Sequence, residues 1–233
     1  MTTSKDNLRV AIVGARGRMG QFASQWLRQQ PTMEVVDEIH SDQDLAEVLA
    51  HSQAQVVLDL TRAGLGARHA HIILESGKRP VIGTSGVHPD EDASLDRLAR
   101  LRQLGGLIVP NFSLGVCIQQ QLSVMAARSL GVVEIIEEHH QRKLDKPSAT
   151  ALDTAARIRA VQPPEAPPVP IHSLRTLGVH SNQTVICTGP GEVLRIVHET
   201  YDLEAFGPGL CLALWHVIGQ VGMQRGLQNC LAD

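Results

Sequence analysis

The sequence predicts an α/β fold: a Rossmann-like, doubly wound parallel sheet, joined to a second α+β domain with a mixed or antiparallel sheet. Two observations carry that expectation. Through residue 113, short apolar runs rich in β-branched residues alternate with segments of helical periodicity, as βαβ units do. After a proline-rich stretch, QPPEAPPVP (162–170), strand-like runs follow one another with no helix between them.

The elements fall in order. LRVAIVG (8–14) reads as a buried strand, and Met19, Phe22, Ala23, Trp26 and Leu27 follow it at helical spacing. MEVVDEI (33–39) is a second strand, with the short helix-like DQDLAEVLAHS after it. QVVLDLT (55–61) is a third, and residues 67–76 have a helical pattern. PVIGTSG (80–86), a helix from about Asp90 to Leu104, and the strand-bearing GLIVPNFS (106–113) complete the series. A helix-like stretch (116–129), the strand VVEIIEEHH and a helix from about Ser148 to Ala160 then lead to the proline-rich connector, which suits neither regular element. IHSLRTLG, QTVICT and EVLRIVHETY read as consecutive strands. The tail, 205–223, places Leu210, Leu214, Ile218 and Met223 at helical spacing and is expected to fold back on the first domain.

Composition narrows the function classes. Hydrophobic residues are 43% and charged residues 19%, a globular balance, and a formal charge of −3 offers no basic field for nucleic acid or an anionic membrane. The four cysteines, Cys117, Cys187, Cys211 and Cys230, lack metal-ligand or CxxC spacing and read as free thiols of a reducing compartment. MTTSKDNLRVAIVG lacks the apolar core of a signal peptide, and no apolar run approaches membrane-spanning length. A soluble, cytoplasmic protein is expected.

Two constellations carry chemistry. GARGRMG sets glycines at 14, 17 and 20 between the first strand and the first helix. Unpaired N–H groups at a helix start attract a pyrophosphate, and glycines let it approach, so this loop points to a nucleotide. DLTRAG (59–64) and GTSG (83–86) follow the next strands at the same sheet edge. The second strand ends DEIHS, and by alternation Glu38 and His40 share a face, so the group facing an adenine ribose, and with it NADH against NADPH, stays open.

The other constellation is EEHHQRKLDKPSATAL (137–152). Neighbours on a strand point to opposite faces, so His139 and His140 do not make a two-histidine metal site, and no metal is expected. A lysine nearby supplies a point charge for a carboxylate, and Ser148, Ala149 and Thr150 would offer N–H groups and hydroxyls at a helix start. The segment reads either as a solvated loop with a serine cap or as a carboxylate site beside a proton donor.

These residues resemble the dihydrodipicolinate reductase (4-hydroxy-tetrahydrodipicolinate reductase) family, whose signature is a His-His-x-x-Lys-x-Asp-x-Pro-Ser-Gly-Thr-Ala-Leu run. It is matched at His139, His140, Lys143, Asp145, Pro147, Ser148, Thr150, Ala151 and Leu152. The family's glycine loop, Asp-Phe-Thr, Gly-Thr-Thr-Gly and Asn-Phe-Ser-x-Gly-Val segments are matched, in order, by residues 14–20, 59–61, 83–86 and 111–116.

The resemblance implies reduction of the dihydrodipicolinate ring, a small dicarboxylate, with NADH or NADPH in lysine and diaminopimelate biosynthesis, by a homotetramer. It implies a dinucleotide-binding domain of residues 1–113 plus 205–233, with a substrate-binding and oligomerisation domain, 114–204, between. His139 would exchange the proton and Lys143 would donate a proton or hold a carboxylate, with His140, Ser148, Ala149 and Thr150 contacting substrate. Gly14, Ala15, Arg16, Gly17, Arg18 and Met19 would cradle the cofactor. Arg62, Gly83, Thr84 and Ser85 would line its site, as would Val109, Pro110, Asn111 and Phe112, with His40 at the ribose. The chain departs from the pattern at Ala149, where the family has glycine, at His40, where an acid is common, and at Gln183, where a histidine would stand.

Overall fold

The computed structural model describes residues 7–84 and 86–231. They form two compact units, one of residues up to Phe112 with those from Phe206 onward, the other Ser113–Ala205.

In the first unit β1 (Leu8–Val13), β2 (Met33–Ile39), β3 (Val56–Asp59), β4 (Arg79–Ile82) and β5 (Gly105–Ile108) alternate with four helices. These are α1 (Arg18–Arg28), α2 (Leu45–His51), α3 (Gly66–Glu75) and α4 (Pro89–Leu101). The chain later returns to this unit through α7 (Gly207–His216) and a last strand, β10 (Gly222–Arg225). The sheet order is β10-β5-β4-β3-β1-β2, with every pairing parallel. Val10, Ile12, Val56, Val57 and Leu58 are fully buried, as strands covered on both faces require. The chain leaves β1 toward β2 on one side and comes back to β3 on the other. The carboxyl ends of β1 and β3 therefore mark the reversal of strand order, the place where such sheets bind ligands.

Helix boundaries follow local chemistry. Pro89 opens α4 behind His88, whose N–H donates to Glu91 Oε2 at 2.8 Å, with Asp90 and Asp92 beside the positive end of the helix. Beyond α4, Gln103 enters the left-handed region at φ 54°, and the helix stops short of Leu104.

The tail differs from its sequence pattern. Leu210 and Leu214 do lie on a helix, α7, but Met223 lies on β10, which extends the sheet beside β5. The helix has ended at His216, and Gly222, at φ 99°, opens the strand, its N–H donating to Leu104 O at 2.9 Å. GMQR is polar and short, and its strand character comes from pairing with a distant segment rather than from local propensity.

The second unit opens with α5 (Leu114–Ser129), whose N-cap is Ser113. Then come β6 (Val132–His140), α6 (Ala149–Arg159), β7 (Ile171–Thr176), β8 (Ser181–Gly189) and β9 (Glu192–Thr200). The sheet is mixed, in the order β7-β6-β8-β9: β7 runs parallel to β6, while β8 is antiparallel to both β6 and β9. A parallel neighbour demands a crossover, and α6 with the proline-rich connector provides it. Ala127, Val133, Ile135, Ile158, Val185 and Cys187 form the core of this unit. Among the described residues, no helix is long and apolar enough to cross a membrane.

Candidate active site

The first unit carries a cleft of about 780 Å³ at the carboxyl ends of its central strands. Gly14, Arg16, Gly17, His40, Thr61 and Arg62 are among its walls, and no carboxylate stands among the described residues lining it. Gly14 sits at φ 83°, and a Cβ on it would come 2.9 Å from Leu60 O, so only glycine makes this turn. A Cβ on Gly20 would fall 2.2 Å from Gly14 O, so the third glycine lets α1 start tight against the loop. Gly17 caps α1 without a side-chain hydrogen bond, and no acidic residue occupies the first turn. The positive end of α1 therefore faces the loop with neither a capping side chain nor an acid in front of it. A dinucleotide pyrophosphate fits this cradle.

Asp59 ties the neighbouring loops together. Its buried carboxylate accepts from Thr61 N and Thr84 Oγ1, each at 2.9 Å, and pairs with His69 Nδ1 at 2.9 Å. Thr84 thus anchors the loop after β4 to the loop after β3, while Gly83 packs against Phe112, where a Cβ would meet the ring at 2.6 Å. Val109 is buried and hydrogen-bonded to Ile82 O, so residues 109–112 leave β5 at the same edge of the sheet. Ala15 is buried within the turn, Met19 lies on the first turn of α1 with Arg18, and Pro110 and Asn111 sit in the loop after β5. Ser85 lies outside the described residues.

At the end of β2 the strand stops at Ile39. His40 therefore leaves the pleat and lines the cleft, whereas Glu38 turns to α1, paired with Ser24 Oγ and with Arg28 Nη2, the latter at 3.0 Å. Those partners hold the Glu38 carboxyl below its ordinary value, the serine hydrogen bond contributing most.

The second unit holds the other constellation. Alternation along β6 buries Ile135, Glu137 and His139 on one face and leaves His140 half-buried on the other. His139 Nδ1 contacts Glu137 Oε2, and His139 Nε2 lies 3.1 Å from Ser181 Oγ on β8. Burial pushes the His139 pKa down, as do the Lys143 and Arg175 charges, against the opposing pull of Glu137. Burial raises Glu137, but hydrogen bonds from Ser173 and Arg175 and the charges of His139 and Arg175 outweigh it, so its carboxyl is held low.

Lys143 follows β6 in a turn and pairs with Asp145 Oδ2 at 2.9 Å. Arg175, from β7, donates to Glu137 Oε1 at 3.0 Å, to Lys143 O at 3.2 Å and to Asp145 O. Ser148, itself buried, caps α6 by accepting from Ala151 N, and Ala149 and Thr150 form the first positions of that helix. Glu137 is absent from the residues read out of the sequence as functional. Its signal was an acid two positions before His139, on the inward face of an otherwise apolar strand.

Comparison with known proteins matches both halves of the chain. The family model described as "Dihydrodipicolinate reductase, N-terminus" matches residues 8–112, and "Dihydrodipicolinate reductase, C-terminus" matches residues 115–231. A 4-hydroxy-tetrahydrodipicolinate reductase of Legionella pneumophila (strain Corby) is 37% identical, over 96% of this chain and 99% of its own. One of Geobacillus kaustophilus (strain HTA426) is 35% identical over the same shares. A solved structure, a dipicolinate-bound dihydrodipicolinate reductase from Paenisporosarcina sp. TG-14, superposes with a TM-score of 0.86 at 29% identity, covering 97% of this chain and 100% of that one. With both halves matched and such relatives spanned almost end to end, the chain belongs to the dihydrodipicolinate reductase family.

Proposed function

We propose that this chain reduces 4-hydroxy-tetrahydrodipicolinate (dihydrodipicolinate once its hydroxyl has left as water) with NADH or NADPH to tetrahydrodipicolinate, in lysine and diaminopimelate biosynthesis. The single observation that carries the reading is His139, buried in β6 between the Glu137 carboxylate and the Ser181 hydroxyl, with Lys143 and the N-terminus of α6 following it in the chain.

The cleft of the first unit would hold NADH or NADPH through the N–H groups at the start of α1, Arg16 and Arg62, with His40 at the ribose. The cofactor supplies a hydride. Every other demand falls on side chains of the second unit. Lys143 and the N–H groups of Ala149 and Thr150 bind the substrate carboxylates, and His140 and Ser148 complete their surroundings. Hydride addition leaves negative charge on an adjacent ring atom, and His139 delivers a proton there through Nε2, the nitrogen not turned to Glu137.

Assembly and compartment belong to the same reading. Leu174 and Val197 are exposed apolar residues of the mixed sheet, and a second copy of the chain would cover them in a homotetramer. Four free cysteines suit the cytoplasm. Light scattering of the purified protein tests the first point: a mass of one chain would overturn it.

The experiment for the activity couples the protein to freshly made dihydrodipicolinate and follows NADH and NADPH consumption in parallel, with pyridine-2,6-dicarboxylate as a planar competitor. Oxidation that requires the ring and yields to the competitor is expected. Cofactor binding with no turnover would overturn the substrate assignment.

A further inference from the structure

We propose that Glu137 is the positioning residue for His139, and that Arg175 couples this placement to the turn that carries Lys143. The inference rests on the proposed function, in which His139 handles the proton.

The geometry divides one buried carboxylate between two tasks. Glu137 is fully buried, and a carboxylate in that setting needs partners on both oxygens. Oε2 meets His139 Nδ1, while Oε1 accepts from Arg175 Nη1 at 3.0 Å. Strand register brings the three together: Glu137 and His139 are two residues apart on β6, and Arg175 pairs across to His139 from β7. Arg175 Nη1 also donates to Leu174 O at 2.6 Å, while Nε and Nη2 donate to Lys143 O and Asp145 O, so the same guanidinium holds the turn in which Lys143 lies.

The chemical consequence concerns the tautomer. An ionised carboxylate only accepts, so Nδ1 carries the hydrogen and Nε2 is left for the transferred proton. When Nε2 is protonated, the Glu137 charge stabilises the imidazolium. The groups facing His139 are Glu137 on its own strand, Arg175 on β7, Ser181 on β8 and Lys143 in the following turn, and Glu137 is the single anion among them. Without it, Arg175 and the Asp145-paired Lys143 would act on the ring with no anion in contact with it. Glu137 therefore sets whether His139 can be charged at the pH of turnover, and Arg175 keeps Glu137 ionised.

The test is Glu137→Gln in the full chain, a change that keeps shape and removes charge. Three readouts are needed: the pH dependence of kcat, the KM for dihydrodipicolinate, and the titration of the His139 ring by NMR. A proton donor loses activity as pH rises through its pKa, so the alkaline fall in kcat should move to lower pH. The His139 titration should move with it, and kcat near neutrality should fall about tenfold for each unit by which the His139 pKa drops, with KM changing far less. An unchanged His139 titration and pH profile would overturn the proposal. Should the variant fail to fold, judged by lost NADH binding and a lost thermal transition, Arg175→Lys takes its place. It keeps a charge on Glu137 and removes the clamp on the turn, so KM should rise at least tenfold while the His139 titration stays near that of the parent. The opposite pattern would overturn the coupling. The titration also separates this idea from the functional reading. If the parent protein turns over no dihydrodipicolinate, the function fails, yet a moved His139 titration in Glu137→Gln would still establish the pairing.

Discussion

Gln183 donates through Nε2 to Thr154 Oγ1 at 3.0 Å, and that hydroxyl donates on to Thr150 O at 2.8 Å. The same amide reaches Gln119 Oε1 at 3.0 Å, and Gln119 Nε2 donates to the backbone oxygens of Gln183 and Ile196. A buried polar network thus ties β8 to α5 and to the first turn of α6, whose N–H groups would bind the substrate. Gln183 stands where the family pattern has a histidine. Its amide has one more donor than a neutral imidazole, and here it serves two partners at once.

Thr154→Val tests that network. The variant leaves the Gln183 amide short of a partner in a buried setting, which should cost about 1–3 kcal/mol of stability. Urea denaturation should show a lower midpoint at unchanged slope. Because α6 carries the anion-binding end, KM for dihydrodipicolinate should rise while cofactor binding in the other unit holds constant. Unchanged stability would mean that the network contributes nothing.

The roles of His139 and Lys143 separate in kinetics. Lys143 reaches substrate as a point charge, so Lys143→Ala should mainly raise KM, by roughly 10–100-fold, the scale of a lost charge-assisted hydrogen bond. His139→Ala should mainly lower kcat, by about 10²–10⁴-fold, the range of general acid–base catalysis. Small and equal effects from both would remove the site from this segment.

Acid should weaken the second unit through its buried histidines. His139 and His198 both have pKa values lowered by burial, from an ordinary 6.5. A base that is harder to protonate when folded leaves the unfolded chain binding more protons as pH falls. The stability it contributes is complete above about 6.5 and declines as pH drops below that value toward the folded one. Glu137, held low, adds a second loss only at more acid pH, as it is titrated through its folded value. Thermal midpoints should therefore fall between pH 7 and pH 5. His198 Nε2 lies 3.2 Å from Ser113 Oγ, and His198→Gln keeps a polar partner there without the titration, so it should flatten part of the slope. A slope that is the same in the variant would exclude His198.

What was legible in the sequence, and what was not, follows from the range of the interactions. β1, β3 and β4 are apolar runs that announce themselves as buried parallel strands, and Ser148 is a readable cap because its partner is three residues away. The strand β10 was not readable, because GMQR has no strand character apart from its pairing with residues 105–108. At the site, alternation correctly sent His139 and His140 to opposite faces. It failed for Glu38 and His40 because the strand stops between them. Glu137 escaped notice for another reason: its importance comes from Arg175, thirty-eight residues away in sequence, and only the fold joins them.

That corrected placement of Glu38 and His40 gives the last prediction, on the choice of cofactor. The walls of the cleft carry Arg16, Arg62 and His40, and among the described residues no acid. A ribose carboxylate would favour NADH by accepting from its hydroxyls and would repel the phosphate of NADPH. Nothing in this cleft does so, and the protein should bind NADPH at least as tightly as NADH. Arg16 pairs with Asp42 at 3.7 Å, both side chains well exposed, so it is free to turn toward a phosphate at little cost. Calorimetric titration of both cofactors would measure the ratio directly. His40→Asp should weaken NADPH about tenfold or more and leave NADH nearly unchanged, since the new charge opposes only the phosphate. Glu38→Gln should not move the ratio, because Glu38 is occupied by Ser24 and Arg28. A ratio that follows Glu38 and ignores His40 would place the ribose on the other side of β2.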